Sequence, residues 1–398
     1  MSGLRVVPPA GAPVPLGAVV RSMVAPVSAC PPAAECLRNR LGSRNVYFLS
    51  SGRAALSILL RAFRNLSNRR EVVIPAYTCF SVASAIARAG LVIRLCDIDP
   101  KTFDLDLTAL SRLDLRAALC VISSGLFGIP GDLSELERIA RRAGAFVVDD
   151  AAQCLGATYR GRPCGTFGDA GFYSFGRGKA LTTMGGGVLV TNWDNLAAMI
   201  DREMTALGWP PARSIAATVA GTVIYAAMLP SSRYWIVDRL PFLGLGLSRF
   251  DPDFPITRLS AYQKRLLACL LARLDAYTQV RRHHAARLRS GLEGIEGLEI
   301  PRPVEDAEPV YLRFPLLARD EVHRARLLAQ LRRAGIGASC SYPTAIDDIP
   351  GIAAYLAPNP QPCPAAHSIA TRLLTLPTHP SVTAQDVATM VTTVRESR

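Results

Sequence analysis

GFYSFGRGKALTTMGGGVLVTN, residues 171–192, sets a lysine, Lys179, between two glycine-containing turns. An apolar run, 170–175, leads into the turn and a second, 188–191, leaves it, so the lysine is expected on a loop between two strands. Loops held by rigid strands are good places for reactive groups. A lone lysine in such a loop is ordinarily a solvated surface charge, and what argues otherwise lies upstream.

Working outward, the chain alternates between short apolar runs and amphipathic stretches. Strands are expected at 45–49 (NVYFL), 72–74, 92–96, 119–123 and 145–148, with helices at 81–89 and 133–143. Runs rich in Val and Ile between amphipathic helices predict an α/β fold whose mostly parallel sheet is covered on both faces. In such sheets functional residues gather at the carboxyl ends of strands. Asp149 and Asp150, directly after FVV, occupy such an end. After NVYFL, the serine-glycine turn of SSGRAALSILLRAF opens a helix-compatible segment, a strand-glycine-helix geometry that attracts an anion through free N–H groups and the helix dipole.

The 398 residues are 49% apolar and 19% charged, enough for a large core and two or three domains. The formal charge of +13 comes from short, scattered basic pairs rather than a stripe, which argues against nucleic acid. Ten cysteines without a CxxC pair, mostly in apolar segments, fit free buried thiols in a reducing compartment, and the expected location is cytoplasmic. No histidine or cysteine spacing suggests a metal site; His283 and His284 read as surface residues, and Asp97 and Asp99 as strand-end and turn residues. Residues 1–32, with seven prolines, read as an arm, extended or wrapped on a neighbour. A large α/β domain is expected over 33–255, with an apolar insert at about 207–250, and a smaller α+β domain over 256–398 that opens with one long helix, 259–284. The uncharged stretch 214–229 would make a helix about 24 Å long, short of a hydrocarbon core of roughly 30 Å. It reads as a buried helix or dimer contact, an interfacial patch giving peripheral membrane contact through 214–247, or a wall for an apolar substrate.

Asp150 precedes Lys179 by 29 residues, with Gln153 just after the acid and Ser174 just before the lysine. A lysine to form a Schiff base, an acid to keep a pyridine nitrogen protonated, and hydroxyl and N–H donors for a phosphate are the parts of a pyridoxal-phosphate site. The segments SGRAAL (51–56), IPAYTC (74–79), CDIDPKTFDLD (96–106), LFGIPGDLSEL (126–136), VVDDAAQCLGATYRG (147–161) and 165–192 resemble, in order and spacing, the DegT/StrS family of pyridoxal-phosphate-dependent sugar aminotransferases. RLSAYQKRLLACLLARLD (258–275) resembles the helix that opens that family's C-terminal part.

The resemblance implies an aspartate-aminotransferase-like large domain of fold type I, pyridoxal 5′-phosphate as cofactor, and a homodimer. It assigns Lys179 as Schiff-base lysine and proton carrier, and Asp150 as partner of the pyridinium. Gln153 falls near the ring hydroxyl, Ser174 on the phosphate, and Gly52 and Arg53 in the phosphate turn. Arg53 stands where a Thr or Ser is usual, with a guanidinium able to pair with phosphate. Cys79 stands where many members stack an aromatic, leaving that task to Cys79, Tyr77 or Phe80. Ile256 lies about where many members carry an asparagine lent to the partner subunit, and Gly176 replaces a polar residue. Tyr342, in SYPT, could reach a substrate cleft but is not counted among the site residues. The implied reaction moves an amino group from an amino-acid donor, glutamate foremost, to a keto-sugar, commonly nucleotide-linked. The alternatives are a lipid-linked or other non-sugar ketone, or a non-catalytic regulatory or membrane-associated relative. The family's dehydratases carry histidine in place of Lys179. Substrate selection is expected around Gly176, Arg177 and Gly178.

Overall fold

The computed structural model describes residues 5–24, 32–240 and 249–397. Seven strands form the central sheet: β1 (Asn45–Leu49), β2 (Glu71–Pro75), β3 (Val92–Cys96), β4 (Ala118–Ser124), β5 (Phe146–Asp150), β6 (Ala170–Ser174) and β7 (Gly187–Thr191). Their order is β1-β7-β6-β5-β4-β2-β3. The block from β6 to β3 is parallel, and β7 runs antiparallel between β1 and β6.

Alternate residues of the inner strands serve different cores, as the two-residue period of a strand requires. Val72, Ile74, Ile122 and Val148 pack with the helices Gly52–Arg64 and Phe80–Arg88. Val73, Val121 and Val147 pack with Leu136 and Ile139 of the helix Leu133–Arg142. Both faces are covered, which is why these strands read as continuous apolar runs. Each fully buried Val, Ile or Leu contributes roughly 1.5–3 kcal/mol, so the sheet is a rigid frame for whatever its strand ends carry.

The C-terminal part holds a second, three-stranded antiparallel sheet of β8 (Leu298–Glu299), β9 (Arg313–Ala318) and β10 (Leu373–Pro377). Phe314, Leu316, Leu374 and Leu376 pack there with Leu288, Leu327, Leu331 and Met390 from three helices. The expected single helix over 259–284 is two helices, Ala261–Leu271 and Leu274–Leu292. The break falls at Ala272 and Arg273, where no glycine or proline marks it. His284 is not on the surface: it is buried, with Nδ1 3.0 Å from the Thr378 carbonyl, while His283 is exposed.

The described part of the N-terminal arm is packed on this chain, not extended away from it. Its residues Leu16–Val24 form a helix, and Val7 joins the small-domain core. The carbonyls of Pro8, Gly11 and Pro13 are bound by His379 (2.9 Å), Arg281 (2.9 Å) and Tyr277 (3.0 Å). Arg5 forms a two-pronged ion pair with Asp386. The insert forms two helices, Ala212–Met228 and Ser231–Asp238, bent by 118°. Among the described residues no single helix is long and apolar enough to cross a membrane. The first helix is not a core helix either: only Thr222 is buried, and Val223 and Ile224 are exposed. Part of the expected segment 214–247 lies outside the described residues.

Candidate active site

Five strands deliver their carboxyl ends to one pocket. Ser51, Gly52 and Arg53 follow β1, Thr78 and Cys79 follow β2, and Ser124 closes β4. Asp150 closes β5, with Gln153 just after it; Ser174 closes β6, with Lys179 five residues on. The structure thus brings together all seven residues singled out in the sequence: Gly52, Arg53, Cys79, Asp150, Gln153, Ser174 and Lys179.

At one end the helix Gly52–Arg64 begins. Ser51 caps it by accepting from the Ala54 N–H, a bond that contributes about 1 kcal/mol. A Cβ at Gly52 would lie 2.9 Å from the Ser174 Cβ and 3.2 Å from its Oγ, so only glycine lets the helix start close against that hydroxyl. The first turn of a 13-residue helix and a serine hydroxyl make an anion cradle. Arg53 belongs to it through its backbone position, whereas its guanidinium is engaged elsewhere. It pairs with Asp251 at 3.2 Å and lies 4.4 Å from the centre of the Phe254 ring, so the expected pairing with a phosphate is not how this side chain is held.

At the other end, the buried Asp150 accepts from the Ala152 N–H at 2.9 Å. Burial pushes its carboxyl up to about 6, against the pull of that N–H and of Lys179. A cation placed against it would draw that value back down, as an opposite charge does. Burial also lowers Lys179, most strongly of all influences on it; Cys79 and Asp150 oppose that and Arg313 adds to it. A lysine lowered in this way has more of the neutral amine that attacks a carbonyl or takes a proton.

Gln153 is fixed from both sides, its Oε1 accepting from the Phe127 N–H (3.2 Å) and its Nε2 donating to the Tyr342 hydroxyl (3.1 Å). Tyr342 therefore reaches the site through Gln153, bringing the small domain to the cofactor end. Tyr77 does not line the pocket; its hydroxyl donates to the carbonyls of Cys340 or Tyr342, both at 3.2 Å. Phe80 stacks on Tyr342 with ring centres 6.2 Å apart, which leaves Cys79 as the one of the three stacking candidates that lines the pocket.

Thr78 and Ser124 were not singled out in the sequence. Their hydroxyls lie 2.9 Å apart, and the Ser124 N–H donates to Asp104 at 2.8 Å. Asp104, from the CDIDPKTFDLD segment, also accepts from the Ser123 hydroxyl at 2.6 Å. The position of Ser124 at the end of β4 was the signal available for it. Asp97 caps the helix Pro364–Arg372 through the Ala365 and Ala366 N–H groups, and Asp99 accepts from the Lys101 N–H in its turn. Asp347, Asp348 and His367 converge without any sequence signal, the imidazole 3.1 Å from each carboxylate, an arrangement accounted for as contacts among surface side chains.

The donor set fits pyridoxal phosphate. An anion cradle stands at one end, a buried acid at the other, and a lysine of lowered basicity shares the pocket. Comparison with known proteins agrees. The model of the DegT/DnrJ/EryC1/StrS aminotransferase family matches residues 34–224 and 255–395. A pleiotropic regulatory protein of Geobacillus stearothermophilus is 30% identical over 83% of this chain and 79% of its own length. The UDP-N-acetyl-3-dehydro-α-D-glucosamine 3-aminotransferase of Acidithiobacillus ferrooxidans is 26% identical over 87% of this chain and 83% of its own. The crystal structure of a sugar aminotransferase from Micromonospora echinospora superposes with a TM-score of 0.76 at 26% identity, covering 100% of both chains. The chain belongs to the DegT/DnrJ/EryC1/StrS aminotransferase family, which makes it a pyridoxal-phosphate-dependent transaminase of fold type I.

Proposed function

We propose that this transaminase takes an amino group from an amino-acid donor, glutamate foremost, and passes it to the keto carbon of a nucleotide-linked sugar. The observation that carries the reading is the meeting of Lys179 and Asp150 in one pocket, each displaced by burial from its ordinary proton affinity. The named activity of the Acidithiobacillus relative, amination of a nucleotide-linked keto-sugar, supports the acceptor class.

When bound, pyridoxal phosphate supplies the electron sink that makes a proton on the substrate carbon removable. Lys179 would hold the cofactor through its Nζ and, as a free amine once the incoming amino group has taken its place, its Nζ would take that proton and deliver it to the carbon on the far side of the amino nitrogen. Asp150 keeps a proton on the ring nitrogen by pairing its carboxylate with it, and the burial that disfavours the lone carboxylate strengthens the pair. The helix start at Gly52 and the Ser174 hydroxyl anchor the phosphate, so proton transfer at Lys179 occurs at a fixed distance. Gln153, locked between Phe127 and Tyr342, holds the ring-hydroxyl edge. Two copies of the chain act together in this reading, as the resemblance to the family implies.

The test is a half-reaction. Protein loaded with pyridoxamine phosphate is mixed with a panel of nucleotide-linked keto-sugars while the visible absorbance of the aldehyde form is followed. At least one such sugar is expected to return that absorbance, and 2-oxoglutarate should do so as the reverse of the donor step. If 2-oxoglutarate alone returns it across the whole panel, the acceptor class is wrong; if nothing does, the activity is wrong.

A further inference from the structure

The family match leaves residues 1–33 and 225–254 outside it, and the described parts of these two stretches pack against each other. The Val6 N–H donates to the Ser231 carbonyl at 3.0 Å, and the Ala12 N–H donates to the Tyr225 hydroxyl at 3.0 Å. A Cβ at Gly11 would come within 2.7 Å of Leu229, so the arm lies flush on the insert. Together they border, beside the turn that carries Lys179, an open cavity of about 310 Å³. Gly178 is where the two meet: its φ of +77° suits glycine, and a Cβ there would lie 3.3 Å from Ala10 and 3.6 Å from the Arg313 guanidinium.

The cavity is chemically two-sided. Ile224, Met228, Leu229 and Val237 give the insert side an aliphatic wall. Arg177 and Arg313 line it as well, next to the lysine turn and on β9. Arg313 donates to the Ser339 hydroxyl at 2.8 Å, and the groups whose charge favours its protonated form are Tyr342, Tyr234 and Tyr77, with no carboxylate among them. Guanidinium groups without a carboxylate partner among the described residues, beside an aliphatic wall, suit a ligand with an anionic group and a hydrocarbon part. Among the described residues of the insert side, the only polar side chains the base of a nucleoside would meet are Tyr225 and Tyr234, and the Tyr225 hydroxyl is already bonded to Ala12.

We propose that this cavity is an acceptor subsite that binds the hydrocarbon part of an anionic amphiphile, with Arg313 and Arg177 holding the anion near Lys179. The assignment rests on the transaminase reading above but not on its nucleotide-linked acceptor: it gives the acceptor an alkyl or polyprenyl group next to a phosphate in the nucleoside's place. The family's core supplies the chemistry and the two arginines, and the arm and insert supply the apolar wall. Ile224 is 63% exposed, so it can be changed without disturbing the core.

The test is calorimetric titration of the cofactor-loaded full-length protein with ethyl, hexyl and decyl phosphate and with UDP. Burying a methylene contributes about 0.8 kcal/mol, so affinity should rise roughly three- to fourfold per carbon within the chain length the cavity holds. Ile224→Asp should flatten that rise, and Arg313→Gln should weaken all three alkyl phosphates while leaving their ratios intact. Affinity independent of chain length, or UDP binding more tightly than decyl phosphate and displacing it, would overturn the proposal. So would failure of decyl phosphate to bind together with dissociation of the Ile224→Asp protein, which would give the cavity to a second copy of the chain. These binding measurements do not depend on turnover, so failure of the half-reaction leaves them standing, and their failure leaves transamination of nucleotide-linked sugars untouched.

Discussion

Gly52 leaves no room for a side chain where the helix Gly52–Arg64 meets Ser174. Gly52→Ala forces the new methyl to 2.9 Å from the Ser174 Cβ, and overpacking of this kind costs roughly 1–3 kcal/mol. The strain falls on the anion cradle, so the variant is expected to bind pyridoxal phosphate about tenfold or more weakly, measured by titrating the visible absorbance, while its far-UV circular dichroism stays unchanged. Unaltered affinity would remove Gly52 and Ser174 from the phosphate end. Residues of this kind were legible in the sequence, because Gly52, Asp150, Ser174 and Lys179 each sit at or just past the end of an apolar run, where a parallel sheet presents functional groups. Arg53 was legible only in its backbone position. The pairing of its guanidinium with Asp251 joins positions 198 residues apart, a distance no local pattern spans. Tyr342 reaches Gln153 across 189 residues, and again only the folded arrangement of two domains shows it.

At the scale of elements, the strands were readable where both faces are buried and the apolar run is continuous, as in β4 and β5. β10 escaped because LLTLP directly follows the helix Pro364–Arg372 and has no turn residue before it. The arm escaped for a different reason: it is held by side chains from remote segments, not by any pattern of its own. Among those side chains His379 makes the attachment sensitive to pH. Burial pushes its imidazole down to about 3; the Pro8 carbonyl and Asp386 pull the other way, and the nearby Arg281 and His284 add to the depression. It is neutral in the fold but takes a proton near 6.5 when unfolded. Its contribution is therefore complete above about pH 6.5 and is lost as pH falls toward 3, by up to about tenfold in the opening equilibrium per pH unit. Asp386 is held low, against its burial, by Arg5 and Thr383, so its own loss comes only below about pH 4. Hydrogen exchange at the Val7 and Gly337 amides, which carry the arm's backbone bonds to the small domain, should lose protection between pH 6.5 and 4.5. In His379→Gln, which does not titrate, that slope should vanish; equal slopes in the two proteins would show that another group controls the arm.

Over the whole molecule, one sheet collects the reacting groups, and the small domain closes on them through Tyr342 and Arg313. The arm and insert close the neighbouring side; the arm and the insert from residue 225 on lie outside the family match, whereas Ile224, Arg177 and Arg313 lie within it. The chemistry is thus carried by the shared core, and the selectivity by that core together with the segments outside the match. Everything in this arrangement turns on Lys179 being the point at which the cofactor is held. Borohydride reduction of the pyridoxal-phosphate-loaded protein, followed by peptide mass spectrometry, tests it directly. The account predicts one phosphopyridoxyl group per chain on the peptide containing Lys179, and none after Lys179→Ala. A label on Lys264 or Lys101, or retention of the label by the variant, would contradict it.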